Sequence, residues 1–97
     1  MRIGVPRETK DGERRVGVTP QGAAVLAADG HEVVVGAGAG AAVGCPDAAY
    51  RAAGARIEDD AMQVFACDLV VKVKELQPDE YALLRAGGTV FGFAQIN

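Results

Sequence analysis

At 97 residues, with 49% hydrophobic and 24% charged residues, the chain has the balance of a single ordinary globular core. A domain of this size buries only about 60 to 65% of its unfolded surface, which predicts modest stability unless it docks against something larger. The formal net charge of −3 and the absence of any basic run longer than Arg14-Arg15 exclude general phosphate-backbone binding, so nucleic acid is not an expected partner.

The longest apolar stretches, residues 23–28 and 33–43, fall short of the roughly 18 to 20 residues of a membrane span. The opening Met1-Arg2-Ile3-Gly4-Val5-Pro6 lacks the apolar core of a signal peptide, so a cytoplasmic location without membrane contact is expected. Cys45, Cys67 and the single His31 offer no metal-ligand spacing. The two cysteines read as small buried apolar residues and His31 as a capping or surface residue at a strand entry.

In chain order, residues 2–5 form the first predicted strand, and a polar loop follows. Thr19 then predicts a helix N-cap, Pro20 its first residue, and Asp29-Gly30 its end. A second strand is predicted over residues 31–35, a helix from 46 to 54, a strand over 55–57, and a helix over 60–66. The most apolar strand, over 68–73, precedes a helix over 78–85 and a last strand over 89–93. Runs such as Val33-Val34-Val35 suit strands covered on both faces. The expected fold is therefore α/β, an open doubly wound, Rossmann- or flavodoxin-like sheet of five mostly parallel strands with helices on both faces. Ligands in such folds sit beyond the carboxyl ends of the strands.

Residues 36–41, Gly-Ala-Gly-Ala-Gly-Ala, fit the G-x-G-x-x-A dinucleotide pattern and follow a strand. In a working fingerprint the glycines open the helix whose N-terminus faces the pyrophosphate. Here Gly44-Cys45-Pro46 intervene, and Pro46-Asp47 read as the first turn of a later helix. The segment is therefore predicted to be a flexible connection, with no cofactor-binding residues.

Two other places carry charge where a ligand would sit. In the loop after the first strand, Arg7, Lys10 and Arg14 read as solvated, whereas Arg15 enters an apolar stretch in which Val16 and Val18 hold its backbone against the core. A guanidinium fixed in this way grips a carboxylate with two parallel hydrogen bonds. At the end of the apolar strand, alternation places Lys72 and Lys74 on one face if the strand stays regular. Spacing alone leaves them equally a solvated strand end or part of a site.

Several strings together resemble the N-terminal domain shared by alanine dehydrogenases and the soluble part of proton-translocating transhydrogenases. They are residues 2–10, Glu13-Arg14-Arg15-Val16-Gly17-Val18-Thr19-Pro20, Gly30-His31-Glu32-Val33, Gly36-Ala37-Gly38, Ala52-Ala53-Gly54-Ala55 and Val71-Lys72-Val73-Lys74-Glu75. The resemblance spans nearly the whole chain and is nearer to the alanine dehydrogenases. It implies that residues 1–97 are the substrate-side domain of an NAD-dependent amino-acid dehydrogenase, holding a 2-oxo or amino acid for hydride transfer at Cα. NAD is then bound mainly by a Rossmann domain outside these residues, in cis or in trans, and the assembly is a homo-oligomer.

By the same resemblance Arg15 holds the substrate carboxylate, Lys74 hydrogen-bonds the carbonyl or imine side as a binding and catalytic residue, and Lys72 is structural. Gln95 stands where alanine dehydrogenases carry a catalytic histidine, and a neutral amide orients a carbonyl but does not exchange a proton near pH 7. Transhydrogenases also lack that histidine, but their pattern loses the second lysine, which this chain keeps as Lys74. The alternatives are a transhydrogenase alpha-subunit domain or a redox-inactive carboxylate-binding module.

Overall fold

The computed structural model describes the backbone of residues 1–87 and 90–93 and the side chains of residues 1–84. Strands β1 (Arg2–Val5), β2 (Glu32–Gly36), β3 (Arg56–Glu58), β4 (Leu69–Lys72) and β5 (Val90–Phe93) alternate with helices α1 (Pro20–Ala28), α2 (Asp47–Ala52), α3 (Ala61–Phe65) and α4 (Glu80–Gly87). The fold is α/β, with a parallel sheet in the order β3-β2-β1-β4-β5. The order reverses between β1 and β4, which places the crevice of an open α/β sheet at the carboxyl ends of those two strands.

Local chemistry explains the elements. Thr19 caps α1 by accepting from the Gly22 amide, with Pro20 at the first turn, as the sequence predicts. Asp60 likewise caps α3 through the Met62 amide. Along β2, Val33 and Val35 face one side, where they pack with Ala23 of α1 and Tyr50 of α2. Val34 faces the other side and meets Val64 of α3 and Cys67. Burying one such side chain contributes roughly 1.5 to 3 kcal/mol, so the three valines alone anchor both layers. Gly4 allows the close approach of α3, because a Cβ there would meet the Val64 carbonyl oxygen at 2.2 Å.

Element ends differ from the sequence reading in two places that matter. The strand predicted over 68–73 stops at Lys72, because the amides of Val73 and Lys74 donate to the Glu8 carboxylate instead of continuing a ladder (2.9 and 3.3 Å). The helix predicted from 78 begins at Glu80, whose carboxylate accepts the Gln77 amide at 2.8 Å and so organises the first turn. The strands at 31–35 and 55–57 are each displaced by one residue, to Glu32–Gly36 and Arg56–Glu58, where Gly36 pairs with Glu58.

Among the described residues no helix is long and apolar enough to cross a membrane. Both cysteines are thiols; Cys67 is buried, and burial raises its pKa. His31 is half-buried, with Nδ1 lying 3.4 Å from the amino terminus.

Candidate functional site

Site geometry begins with the long loop from β1 to α1. Val16 is buried in the core on the α1 side, and Val18 packs against the same cluster. The hydroxyl of the fully buried Tyr50 donates to the Val18 carbonyl at 2.7 Å; burial pushes that phenol up to about 12. Between the two valines, Gly17 lies against the end of β4, where a Cβ would meet the Val71 carbonyl oxygen at 2.5 Å. Only a residue without a side chain lets the loop lie so close, and that closeness delivers Arg15 to the β1/β4 crevice.

Across the crevice, the chain leaving β4 divides its two lysines. Lys72 is fully buried, its ammonium 2.9 Å from Glu8 Oε1 and 3.4 Å from Glu80 Oε1. Thr9 donates to the other oxygen of Glu80 at 3.4 Å. This network ties the β1 loop to β4 and α4: one ammonium is shared by two carboxylates, which also accept from the Val73, Lys74 and Gln77 amides and the Thr9 hydroxyl, as buried ions require. Lys74 is one-third exposed, and its ammonium lies 4.0 Å from Glu13 instead. The shared face expected for Lys72 and Lys74 requires a strand that stays regular through Lys74, and that condition is not met. β4 ends at Lys72, the next two amides donate to the Glu8 carboxylate, and the two ammonium groups have different carboxylate partners. Lys72 is enclosed by protein carboxylates, with its side chain 0% exposed.

Lys74 and Arg15 line one cleft of about 470 Å³, together with Lys10, Asp11, Glu13 and Arg14. Glu13 lies between the two cations. Arg15 grips it with Nε and Nη2, at 3.0 and 2.9 Å, and Arg15 also donates its backbone amide to Glu13 at 2.8 Å. The Lys74 ammonium is 4.0 Å from the same Oε1. Hydrogen bonds from Arg15, side chain first and then backbone, hold the Glu13 carboxyl down at about 2, and the same pairing raises the Arg15 pKa. Lys10 pairs with Glu75 at 2.6 Å on the exposed rim, which lowers the Glu75 pKa. Sequence reasoning passed over Glu8, Glu13 and Gly17. The Glu-x-Arg spacing of Glu13 and Arg15 was the one local signal available.

A second hollow of about 310 Å³ lies beyond β1, β2 and β3, floored by Val64, Phe65 and Leu83. Glu58, Asp59, Asp79 and Glu80 set carboxylates around Arg7 there, which suits an anionic ligand poorly. The cleft where two cations converge is the stronger candidate for a carboxylate.

The glycine-rich connection is tighter than the flexible segment expected. After Gly36 it makes a short 3-10 turn at Ala41–Val43, and α2 opens only at Asp47. The Gly38 amide donates to the Asp47 carboxylate at 2.9 Å, and a Cβ on Gly40 would meet the Cys45 oxygen at 2.6 Å. An acidic side chain of the protein takes the amide that a pyrophosphate would need, and no α-helix starts within the glycines. These residues do not fit the phosphates of a dinucleotide. Gln95 lies outside the described residues. The described residues hold no cluster of three or more His, Cys, Asp or Glu able to bind a metal.

Comparison with known proteins gives this geometry a family. Residues 4–97 match the family described as alanine dehydrogenase/PNT, N-terminal domain. The chain belongs to this family. It is 47% identical over 97 residues to an alanine dehydrogenase of Mycobacterium tuberculosis, aligning 99% of this chain with 26% of that protein. To an alanine dehydrogenase of Bacillus subtilis it is 44% identical over 96 residues, aligning 99% of this chain with 25% of that protein. The chain thus spans about a quarter of the curated relatives it matches.

Among solved structures, an L-alanine dehydrogenase superposes with a TM-score of 0.85 at 42% identity, covering 87% of this chain and 23% of its own. A transhydrogenase from Sinorhizobium meliloti superposes with a TM-score of 0.86 at 30% identity, covering 96% and 27%. The two folds fit this family member equally well; sequence identity is higher to the alanine dehydrogenase.

Proposed function

We propose that this domain forms the substrate side of an NAD-dependent alanine-dehydrogenase-type oxidoreductase and holds a small 2-oxo or amino acid there. The observation that carries the reading is the convergence of Arg15 and Lys74, from opposite sides of the β1/β4 crevice, on one carboxylate oxygen of Glu13. Two cations placed in this way match a 2-oxo acid. The planar fork of Arg15 suits its carboxylate, and the compact ammonium of Lys74 suits the neighbouring carbonyl oxygen, where it would stabilise developing negative charge.

Because residues 36–41 do not fit a dinucleotide, NAD is assigned to a Rossmann domain outside these residues, and the chain's own part is to bind and orient the acid. Gln95 would orient the substrate carbonyl without exchanging a proton. The higher identity to alanine dehydrogenases, 38–47% against 30% for the transhydrogenase structure, favours this reading over a transhydrogenase subunit. The proposed partners are a small amino or keto acid, the cofactor domain and further copies of the same protein, in a cytoplasmic setting.

The test is Arg15→Lys in the protein that contains this chain. Lysine keeps the charge but not the fork, so KM for a 2-oxo acid should rise at least about tenfold with little change in thermal stability. An unchanged KM would remove Arg15 from the site.

A further inference from the structure

Glu13 is more than a neighbour of the two cations, and its placement decides between two roles. A surrogate for the substrate carboxylate would lie on the open side of Arg15 and leave when substrate arrives. Instead the Glu13 side chain is only 4% exposed, whereas Arg15 is 40% and Lys74 33% exposed. The carboxylate therefore lies on the protein side of both cations. It is also fixed by a third bond that no substrate would compete for, the backbone amide of Arg15.

Glu13 engages Nε and Nη2, the side edge of the guanidinium. With that edge held, rotation about the last bonds of the arginine side chain is restricted, and the plane of the fork is set before any ligand arrives. Its Oε1 also faces the Lys74 ammonium at 4.0 Å, so one carboxylate sets the spacing of both cationic heads. The charges matter as well. Arg15 and Lys74 against the buried Glu13 leave one net positive charge. Of the other charges at the cleft, Lys10 is paired with Glu75 and Asp11 balances Arg14. A single positive charge therefore remains for the ligand, which suits a monocarboxylate such as a 2-oxo monoacid better than a dicarboxylate.

We infer that Glu13 is a positioning residue, which orients Arg15 and spaces it from Lys74 so that the cleft selects small monocarboxylates. The inference rests on the proposed carboxylate site, and the two are separable by experiment.

The decisive comparison is Glu13→Gln against Arg15→Lys in the protein that contains this chain, with pyruvate and oxaloacetate as probes. Glutamine keeps the size and one acceptor but loses the second acceptor and the charge. KM for pyruvate should rise about tenfold while kcat changes less than about twofold, because a preoriented fork contributes to binding more than to turnover. The preference for pyruvate over oxaloacetate should fall, since the cleft would then carry one more unit of positive charge. The ¹⁵Nε–H resonance of Arg15, protected from exchange by Glu13 in the parent, should exchange rapidly in the variant.

A surrogate role predicts the opposite, tighter pyruvate binding by Glu13→Gln, and would overturn the inference. So would a fall in thermal stability with unchanged KM and unchanged preference, the signature of a purely structural pair. If Arg15→Lys has no effect on KM, the site itself is wrong and the inference falls with it. If Arg15→Lys weakens binding but Glu13→Gln does not, the site stands and only the role of Glu13 is refuted.

Discussion

Replacing Lys72 with methionine isolates the part of the crevice that is structural from the part that binds. Methionine fills much of the lysine's volume but leaves Glu8 and Glu80 facing each other with side chains only 2% and 3% exposed. Removing one partner of a buried ionic network costs about 3–5 kcal/mol, because the remaining charges are uncompensated. A domain of this size has about 5–15 kcal/mol of stability in total, so the loss is a large fraction of it. The melting temperature should fall by roughly 15–30 °C, and the urea midpoint by ~3–5 M at a slope near 1 kcal/mol/M. Adding Glu8→Gln to Lys72→Met removes one orphaned carboxylate while keeping an acceptor for the Val73 amide, and should recover part of the loss. Lys74→Met, at a partly exposed position, should shift the midpoint little. The assay is equilibrium urea unfolding followed by circular dichroism. A Lys72→Met loss below about 1 kcal/mol, the range of an exposed pair, would refute the reasoning.

Three further outcomes follow from the same geometry. The chain should not bind NADH at submillimolar concentration, because Asp47 holds the Gly38 amide; saturable enhancement of NADH fluorescence would contradict this. Glu13, held at about 2 against an ordinary 4.5, contributes stability that is complete above its unfolded pKa and is lost as pH falls toward 2. Acid unfolding should therefore be less steep between those values in Glu13→Gln, and identical profiles would count against the pairing. Gln95→His, motivated by the sequence resemblance, should raise pyruvate amination by up to about 10²-fold and introduce an ionisation near pH 6–7. Neither gain appearing in the rate profile would mean that Gln95 does not mark a lost proton shuttle.

What was legible in the sequence was what is local. Helix α1 is announced by Thr19 and Pro20, whose hydrogen bond and fixed φ act within one turn, and the structure has the same cap. Strands announced by Val33-Val34-Val35 are legible because both faces of the sheet are covered. The anchoring of Arg15 by Val16 was legible for the same reason, an apolar residue at the end of a polar loop. What was not legible depends on partners far along the chain. The end of β4 at Lys72, ahead of Lys74, is set by Glu8, more than sixty residues earlier, and the late start of α4 by a glutamate drawn into the same network. Glu13, in a loop of seven charged residues from Arg7 to Arg15, looks solvated until the fold sets Lys74 opposite it.

The central claim is that Arg15 and Lys74 together hold the carboxylate end of a 2-oxo acid. Titrating ¹⁵N-labelled protein with pyruvate and following backbone and arginine side-chain resonances tests it most directly. Saturable shifts confined to Glu13, Arg15 and the stretch from Val73 to Glu75, lost in Arg15→Lys, are the predicted result. Saturable shifts centred instead on residues 36–41 or on the hollow beside Arg7, with the Arg15 and Lys74 signals unmoved, would contradict it.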